Sequence, residues 1–291
     1  MVLPNLIYFG SPVFSADILE HLIKSKLVNV VGVVTQPDKP QGRKQILTPS
    51  SVAQKAMEYD LPVYKPSKLD DANLTHLKLL KPDICLVVSY GKIIPQTWLD
   101  LPKIGVFNIH FSLLPKYRGA LCISEAIKNQ DQETGVTLMK MDSQLDHGPL
   151  IAQEKLMIDI NDDTASLNTK LTQLSIHLLD NRLPEILAQK YHTIAQDESQ
   201  ATFTPSHRSV TRQSAFISWE KIEKAMIENG EDIHALIRSL NPEPGAWTII
   251  KEKEVKVLKT SLQDHRLVIN LVQLSGKSPI SWKQFQSGYL I

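Results

Sequence analysis

Short apolar strand patterns alternate with helix patterns through the first 130 residues of the chain. Leu6–Phe9, Val28–Thr35 and Asp83–Ser89, which contains the run Ile84–Val88, are predicted strands, and between them apolar residues recur at the spacing of helices. Ile84–Val88 is apolar at every position, which is typical of a strand that is buried on both faces. The alternation predicts an α/β fold with a doubly wound, mostly parallel sheet.

Polar and glycine residues follow the predicted strands. In a doubly wound sheet, ligands bind beyond the carboxyl ends of the strands. Those ends are Gly10, Tyr90 with Gly91, and the pair Asn108 and His110. Alternate side chains of a strand share a face, so Asn108 and His110 should project side by side. An amide donor beside an imidazole suits the stabilisation of an oxyanion and the transfer of a proton.

Other features of the chain limit what this sheet edge can bind. Gly10 is the only glycine of the first strand-to-helix turn, so no dinucleotide-binding glycine pattern is present. A nicotinamide or flavin site of that kind is therefore not expected. No Cys/His cluster has the spacing of metal ligands, and no metal is expected.

The segment between the second strand and the next predicted helix is polar and basic. It contains Lys39, Arg43 and Lys44, and residues 38–47 are predicted to form a loop. Composition alone favours a solvated connection. Thr48 is the predicted cap of the helix that follows, and Ser15 is the predicted cap of the first helix.

A change of composition divides the chain. A long helix, capped by 162–164, is predicted to close a domain spanning 1–190. Residues 191–215 are rich in polar side chains and are predicted to be a linker to a second domain, 216–291. That domain should contain a helical segment broken near Asn229, about three strands and a last short helix.

Charge and cysteine content restrict the partners and the compartment. The formal net charge is +1, so any nucleic acid must be held by a local patch. Cys85 and Cys122 stand in apolar surroundings and are predicted to be buried thiols in a reducing compartment. No apolar stretch approaches the length of a membrane span, and no signal peptide is visible. We expect a soluble, cytoplasmic, monomeric protein without a membrane partner.

The motifs together resemble the folate-dependent formyltransferases, and among them most closely the methionyl-tRNA formyltransferases. The matching runs are 9–14, 35–43, 47–50, 89–95, 107–120, 133–148, 237–247 and 276–281. The resemblance covers nearly the whole chain. It implies a formyltransferase-type, Rossmann-like domain followed by an OB-type β-barrel. Such a barrel needs five strands, so about three indicate a trimmed version.

The resemblance implies roles for the motif residues. Asn108, His110 and Asp146 would be catalytic, and 10-formyltetrahydrofolate would be the formyl donor. The folate would lie against Ser112, Leu113, Leu114 and Pro115, near Tyr90 and Gly91, and the Leu114–Pro115 peptide would be cis. Lys39, Arg43 and Lys44 would contact the tRNA, and Phe14 would form a wall of the methionine pocket. His147, beside the catalytic aspartate, is expected to face solvent.

Three alternatives are open. A sugar-amine N-formyltransferase would share the catalytic set but would have no use for the basic loop. Glycinamide ribonucleotide formyltransferase shares the set too, although its family ends near the first domain. The chain could also be a tRNA-binding module without catalysis, which the intact Asn108, His110 and Asp146 argue against. The resemblance favours transfer of the formyl group to the α-amino group of initiator methionyl-tRNA, a step of translation initiation.

Overall fold

A computed structural model describes residues 2–42 and 44–290; the predicted tRNA contact Arg43 lies outside the described residues. The strands are β1 Asn5–Gly10, β2 Asn29–Val34, β3 Lys39–Gln41, β4 Ile46–Thr48, β5 Val63–Tyr64, β6 Ile84–Val88, β7 Gly105–His110, β8 Glu133–Lys140, β9 Leu150–Met157, β10 Trp247–Ile250, β11 Lys253–Gln263, β12 Arg266–Leu274 and β13 Ile280–Ser281. The helices are α1 Val13–Ser25, α2 Ser51–Glu58, α3 Asp71–Lys78, α4 Gln96–Leu99, α5 Cys122–Lys128, α6 Thr164–Leu187, α7 Trp219–Ile227, α8 Glu231–Leu240 and α9 Trp282–Phe285.

Seven strands form one sheet in the order β5-β2-β1-β6-β7-β8-β9. The pairs from β5 to β7 are parallel, and β7 pairs with β8 antiparallel. The predicted mostly parallel α/β sheet is therefore confirmed. After β1 the chain builds β2 and β5 on one side, then returns to build β6 and β7 on the other. Such a reversal opens a crevice at the carboxyl ends of β1 and β6.

Side chains of β1 alternate between the two faces of this sheet. Ile7 and Phe9 pack in a cluster that includes Leu77 of α3 and Trp98 of α4. Tyr8, between them, donates its hydroxyl to the Ser15 carbonyl of α1 at 2.7 Å. Because successive strand residues point to opposite faces, these contacts place helices on both sides of the sheet.

Ser15 is not the cap of the first helix. Helix α1 begins at Val13, and Ser15 is fully buried within it. Its hydroxyl donates to the Val88 carbonyl of β6 at 2.8 Å. A Cβ on Gly10 would lie 2.0 Å from the Ser15 Oγ, so the strand-to-helix turn requires a glycine there. The predicted cap is thus a link between the first helix and the end of β6.

The basic segment is a β-hairpin, where a loop was predicted. Strands β3 and β4 pair antiparallel, with Lys39 opposite Thr48 and Gln41 opposite Ile46. The strands have three residues each, and most of their side chains are exposed, so no alternating apolar pattern reveals them. The predicted helix cap Thr48 belongs to β4. Helix α2 begins at Ser51, and Ser50 caps it by accepting the Ala53 N–H at 3.0 Å.

The C-terminal part of the chain contains a four-stranded antiparallel sheet in the order β10-β11-β12-β13. The sequence indicated about three strands, and the additional β13 has only two residues. Helices α7 and α8 are separated near Asn229, as predicted. Their apolar faces and those of β11, β12 and α9 form one core.

The chain divides into two compact units. One comprises 1–120, 135–155 and 169–203, and the other comprises 121–134, 156–168 and 204–291. The boundaries 1–190, 191–215 and 216–291 stay a prediction. Cys85 and Cys122 are both buried, as predicted. None of the helices in the described ranges has the length and apolar character needed to cross a membrane.

Candidate active site

Strand β7 carries two buried polar side chains among apolar residues. Asn108 and His110 are each 6% exposed and lie two residues apart, on the same face of the strand. Their neighbours in β8 are Met139 and Thr137. Buried polar side chains in a strand need partners, and those partners come from two loops that follow β7 and β8.

Asp146 is the partner that joins these two side chains. Its Oδ2 accepts the Gly119 N–H at 2.8 Å and lies 3.7 Å from His110 Nδ1. Its Oδ1 accepts a long hydrogen bond from Asn108 Nδ2 at 3.4 Å. Asp146 holds a φ of +47°, a left-handed conformation that is uncommon outside glycine. The structure therefore brings the three predicted catalytic residues together.

The partner of the other ring nitrogen sets the protonation of His110. Nε2 lies 2.9 Å from the Tyr117 carbonyl oxygen. A carbonyl can only accept, so Nε2 carries the hydrogen. Nδ1 is then the nitrogen that faces Asp146, either as a lone pair or, in the imidazolium, as a second donor.

The loop after β7 is held by two side chains that sequence reasoning missed. The Thr137 hydroxyl donates to the Ser112 carbonyl at 2.6 Å and accepts the Leu114 N–H at 3.1 Å. Gln153 donates to the Leu114 carbonyl at 2.8 Å and to the Thr137 hydroxyl at 2.9 Å. Thr137 is thus the centre of the hydrogen bonds that shape the loop.

The four loop residues differ in accessibility. Ser112 and Leu114 are buried, whereas Leu113 and Pro115 are half-buried and leave apolar surface accessible. The Ser112 hydroxyl donates to the Lys116 carbonyl at 2.6 Å. The Leu114–Pro115 peptide is cis, as predicted.

Tyr90 and Gly91 lie at the carboxyl end of β6, but the tyrosine ring belongs to the core. Tyr90 is 2% exposed, and its ring packs edge-on against Phe9 with the centroids 5.6 Å apart. Burial raises the pKa of Tyr90 to about 12. Gln36 donates to the Tyr90 carbonyl at 2.9 Å, and a Cβ on Gly91 would lie 2.7 Å from the Gln36 Nε2. The side chain of Tyr90 therefore serves packing.

An aromatic pair lies beside the loop. The ring of Phe14, the predicted wall of a methionine pocket, stands 5.0 Å from that of Phe111, centroid to centroid. Phe111 is buried and Phe14 is half-buried. Phe111 directly follows His110 in the chain, so the pair is an apolar surface next to the end of β7.

Of the predicted tRNA contacts, Lys39 and Lys44 are exposed on the hairpin. Desolvation, with a smaller contribution from the positive charge of Lys39, lowers the pKa of Lys92. Lys92 follows Gly91 and donates to the Pro66 carbonyl at 2.7 Å. Lys39, at the base of the hairpin, therefore adds positive charge near the carboxyl end of β6.

His147 was expected to face solvent, but in the structure it lies against two acidic side chains. Its Nδ1 lies 2.6 Å from Asp142 Oδ2 and its Nε2 lies 3.5 Å from Glu198 Oε1, with about a third of the side chain exposed. Glu198 also pairs with Arg118, whose side chain is almost fully buried. Local sequence patterns carry no signal for this network, because Arg118 and Glu198 are 80 residues apart.

The formyl transferase family matches this chain over residues 5–183, and the C-terminal domain of formyl transferases matches residues 210–267. A mostly parallel sheet with an Asn, a His and an Asp at its carboxyl edge fits a group-transfer site with an oxyanion to stabilise. The chain belongs to the formyl transferase family.

Several curated relatives carry one name, methionyl-tRNA formyltransferase. The relative from Dictyoglomus thermophilum is 43% identical over 262 residues, covering 89% of this chain and 80% of the relative. That from Staphylococcus aureus is 40% identical and covers 89% and 79%. That from Kosmotoga olearia is 37% identical over 313 residues and covers 99% and 97%.

Solved structures with the same fold include N-formyltransferases. An N-formyltransferase from Helicobacter canadensis in complex with folinic acid and dTDP-3-aminofucose has a TM-score of 0.67 at 20% identity, with 94% of this chain and 95% of that chain covered. A 4-N formyltransferase from Francisella tularensis has a TM-score of 0.67 at 20% identity, with coverages of 90% and 98%. At this identity the likeness concerns the fold alone.

Proposed function

We propose that this chain transfers the formyl group of 10-formyltetrahydrofolate to the α-amino group of methionyl-tRNA. The observation that carries the proposal is the end-to-end match with the Kosmotoga olearia relative, 97% of which is covered at 37% identity. The sugar N-formyltransferases resemble the chain in fold at about half that identity. The proposed setting is the cytoplasm, where initiator tRNA is charged and used, with the chain acting as a monomer.

The residues beside β7 suit a folate donor. Leu113 and Pro115 offer half-buried apolar surface for a flat ring, and the loop that carries them is fixed by Thr137 and Gln153. A rigid loop loses little entropy when a ligand binds. The pterin end would lie near Gly91, at the carboxyl end of β6.

The chemistry requires a new N–C bond and the loss of an old one. The neutral amine attacks the formyl carbon, and a tetrahedral oxyanion forms. The bond from that carbon to the folate nitrogen then breaks, and the proton lost by the amine goes to the leaving nitrogen. The oxyanion needs donors, and the leaving nitrogen needs a proton.

Asn108 and His110 would supply the donors. Nε2 of His110 is committed to the Tyr117 carbonyl, so Nδ1 of the imidazolium is the available N–H. The Asp146 Oδ2 lies 3.7 Å from Nδ1, so the imidazolium would face the carboxylate. A well-placed donor in an oxyanion hole stabilises the transition state by about 2.7–4 kcal/mol.

Asp146 would also manage the proton. An α-amino group has a pKa of about 7.7–8.0, so part of it is protonated at neutral pH and cannot attack. Asp146 Oδ2 is oriented by the Gly119 N–H, and its position beside both donors lets it accept a proton through water. Asp146 would therefore act as the base and His110 as the electrostatic partner.

The acceptor would be recognised at two places. The half-buried Phe14, packed against Phe111, offers an apolar wall to a methionine side chain. Lys39 and Lys44, with Arg43 between them in sequence, would contact phosphates at the end of the acceptor stem. Contacts to phosphates position a nucleic acid without reading its sequence.

One assay distinguishes this function from its rival. The purified full chain is incubated with 10-formyltetrahydrofolate and either methionyl-tRNA or a dTDP-linked amino sugar, with the Asp146→Asn variant as the matched control. Formyl-methionyl-tRNA should form with the wild-type chain and not with the control. Transfer to the amino sugar alone would replace the proposal by sugar-amine N-formyltransferase, and transfer to neither acceptor would refute it.

A further inference from the structure

A network around the buried Arg118 contacts the backbone of Asp146. The Arg118 side chain is only 3% exposed, so its charge needs partners. Its Nη1 donates to Glu198 Oε2 at 3.0 Å and its Nη2 to Glu198 Oε1 at 2.6 Å. Nε and Nη2 both donate to Gln196 Oε1, at 3.1 and 2.8 Å. All of these partners come from the segment 196–198.

The orientation of the Gln196 amide follows from its neighbours. A guanidinium can only donate, so the Gln196 oxygen must face Arg118. The amide nitrogen then faces the other way, where it donates to the Asp146 carbonyl at 2.9 Å and to the Gly148 carbonyl at 2.8 Å. One side chain thus joins a fixed cation to the backbone on both sides of His147.

The backbone of Asp146 needs such support. Its φ of +47° lies in a region that costs free energy for a residue with a Cβ, and such a conformation persists only where the surroundings hold it. The side chain meets the Gly119 N–H at 2.8 Å, and Gly119 directly follows Arg118. Arg118 therefore fixes Asp146 from two directions, through Gln196 and through the adjacent backbone.

The same segment is joined to Arg118 by its backbone. The Arg118 N–H donates to the Thr202 carbonyl at 2.8 Å, and the Tyr117 N–H donates to the Thr202 hydroxyl at 2.8 Å. The Tyr117 carbonyl, in turn, is the acceptor for His110 Nε2. The segment 196–202 is thus linked to both His110 and Asp146.

We propose that Gln196, held by Arg118, is a positioning residue that keeps Asp146 aligned with His110 for formyl transfer. The kinetic test of this inference measures formyl transfer and so rests on the proposed function. Misplacing a reacting group by about 1 Å can lower a rate about 100-fold. The Gln196 amide is engaged by Arg118 and by two backbone carbonyls, so its loss should affect turnover and leave substrate binding unchanged.

The test uses Gln196→Glu, which has nearly the shape of the native side chain. The new carboxylate still accepts from Arg118 but cannot donate to the Asp146 and Gly148 carbonyls. The matched control is Gln54→Glu, which removes a similar amide donor from the Pro49 carbonyl on exposed α2. In Gln196→Glu, kcat should fall about tenfold to hundredfold with both KM values within about twofold of wild type. The control should match the wild type.

A double-mutant cycle separates positioning from a general loss of structure. In an Asp146→Asn background the carboxylate is already absent, so adding Gln196→Glu should slow turnover by less than about twofold further. Full additivity of the two changes would overturn the proposal. So would a wild-type kcat in Gln196→Glu. Gln196→Met, which carries no new charge, should repeat the loss of kcat, and retention of turnover there would count against the proposal.

A second readout does not depend on the substrate. The Gly119 amide donates to Asp146 Oδ2, so its hydrogen exchange reports the position of the carboxylate. Exchange should be faster in Gln196→Glu and unchanged in Gln54→Glu. If the wild-type chain formylates no acceptor, the proposed function fails, while this exchange still decides whether Gln196 positions Asp146. Unchanged exchange in Gln196→Glu would refute the positioning role.

Discussion

The polar atoms of Asn108, His110 and Asp146 are committed to partners in different ways, and the roles proposed for the three residues differ accordingly. One nitrogen of His110 is used by the Tyr117 carbonyl, and one oxygen of Asp146 is used by the Gly119 N–H. The Asn108 amide makes a long hydrogen bond, 3.4 Å, to Asp146. Catalytic hydrogen bonds are often long before the substrate binds and shorten in the transition state. In the proposed mechanism, Asn108 Nδ2 and, in the imidazolium, His110 Nδ1 would therefore be the donors available to an oxyanion.

The first prediction tests these three residues separately. Asn108→Ala, His110→Ala and Asp146→Ala should each lower kcat about 100-fold or more, because each removes an interaction made in the transition state. The dissociation constant for the folate should largely survive the Asn108 change. Asp17→Asn, on the exposed face of α1, is the control and should keep wild-type turnover. Near-normal turnover of Asp146→Ala at neutral pH would refute its role in proton transfer.

His234 gives the C-terminal unit a pH-dependent stability. It is 1% exposed, with Nδ1 2.8 Å from the Thr260 hydroxyl and Nε2 2.9 Å from the Ile160 carbonyl. Burial lowers the pKa of His234 below its usual value. The unfolded chain then binds a proton more readily than the native one. The contribution of neutral His234 to the free energy of unfolding is complete above the pKa of a histidine in the unfolded chain, about 6.5. That contribution is lost as the pH falls below this value.

The second prediction uses His234→Gln. Glutamine can donate to the Ile160 carbonyl and accept from the Thr260 hydroxyl, but it does not titrate. The free energy of unfolding of the wild type, minus that of the variant, should decrease between about pH 7.5 and about pH 5.5. Urea denaturation at several pH values measures this difference. A difference that is constant across the range would contradict the assignment.

At the scale of elements, the loop after β7 is held by side chains of two neighbouring strands, Thr137 of β8 and Gln153 of β9. Thr137 is fully buried and contacts the backbone of the loop at Ser112 and Leu114. A buried backbone group that loses its partner costs about 1–3 kcal/mol. The loop therefore derives its shape from a neighbouring strand as well as from its own sequence.

The third prediction compares two substitutions of Thr137. Thr137→Val keeps the shape and removes the hydroxyl, so the Ser112 carbonyl and Leu114 N–H lose a partner and the loop loosens. The dissociation constant for 10-formyltetrahydrofolate should rise about tenfold, which corresponds to about 1.4 kcal/mol. Thr137→Ser keeps the hydroxyl and should bind the folate nearly as well as wild type. Equal affinities for all three proteins would show that the loop does not form the folate site.

The parts of the fold that the sequence predicts are those with a local signal. The buried strand Ile84–Val88, the break near Asn229 and the helix start at Thr164 have periodicity, turn or cap residues that act within a few positions. The hairpin at β3 and β4 has no such signal, because its short strands are exposed on the surface. The contacts of Gln196 could not be predicted from the sequence for another reason. Its partners are about 50 to 80 residues away, and its own segment is polar like any linker.

Across the whole molecule, the formal net charge of +1 limits how a nucleic acid can be bound. Counterion release gives a strong salt dependence only where several phosphates are neutralised. With opposite charges almost balanced, the chain must rely on a few cations in the right place. The exposed Lys39 and Lys44 of the hairpin, with Arg43 between them, are the candidates.

The last prediction replaces Arg43 and Lys44 together by alanine. The control is Lys24→Ala with Lys26→Ala, at the end of α1, which removes the same total charge elsewhere on the surface. If the hairpin positions the acceptor stem, only the Arg43/Lys44 pair should raise KM for methionyl-tRNA and lower kcat/KM, with the Kd for folate unchanged. The slope of log affinity against log salt should also become shallower by about 0.9 for each duplex phosphate that the variant no longer neutralises.

Equal effects of the two pairs would mean that overall charge, and not the hairpin, attracts the tRNA. Unchanged tRNA kinetics in the Arg43/Lys44 variant would favour an amino-sugar acceptor, because such an acceptor has no use for these cations.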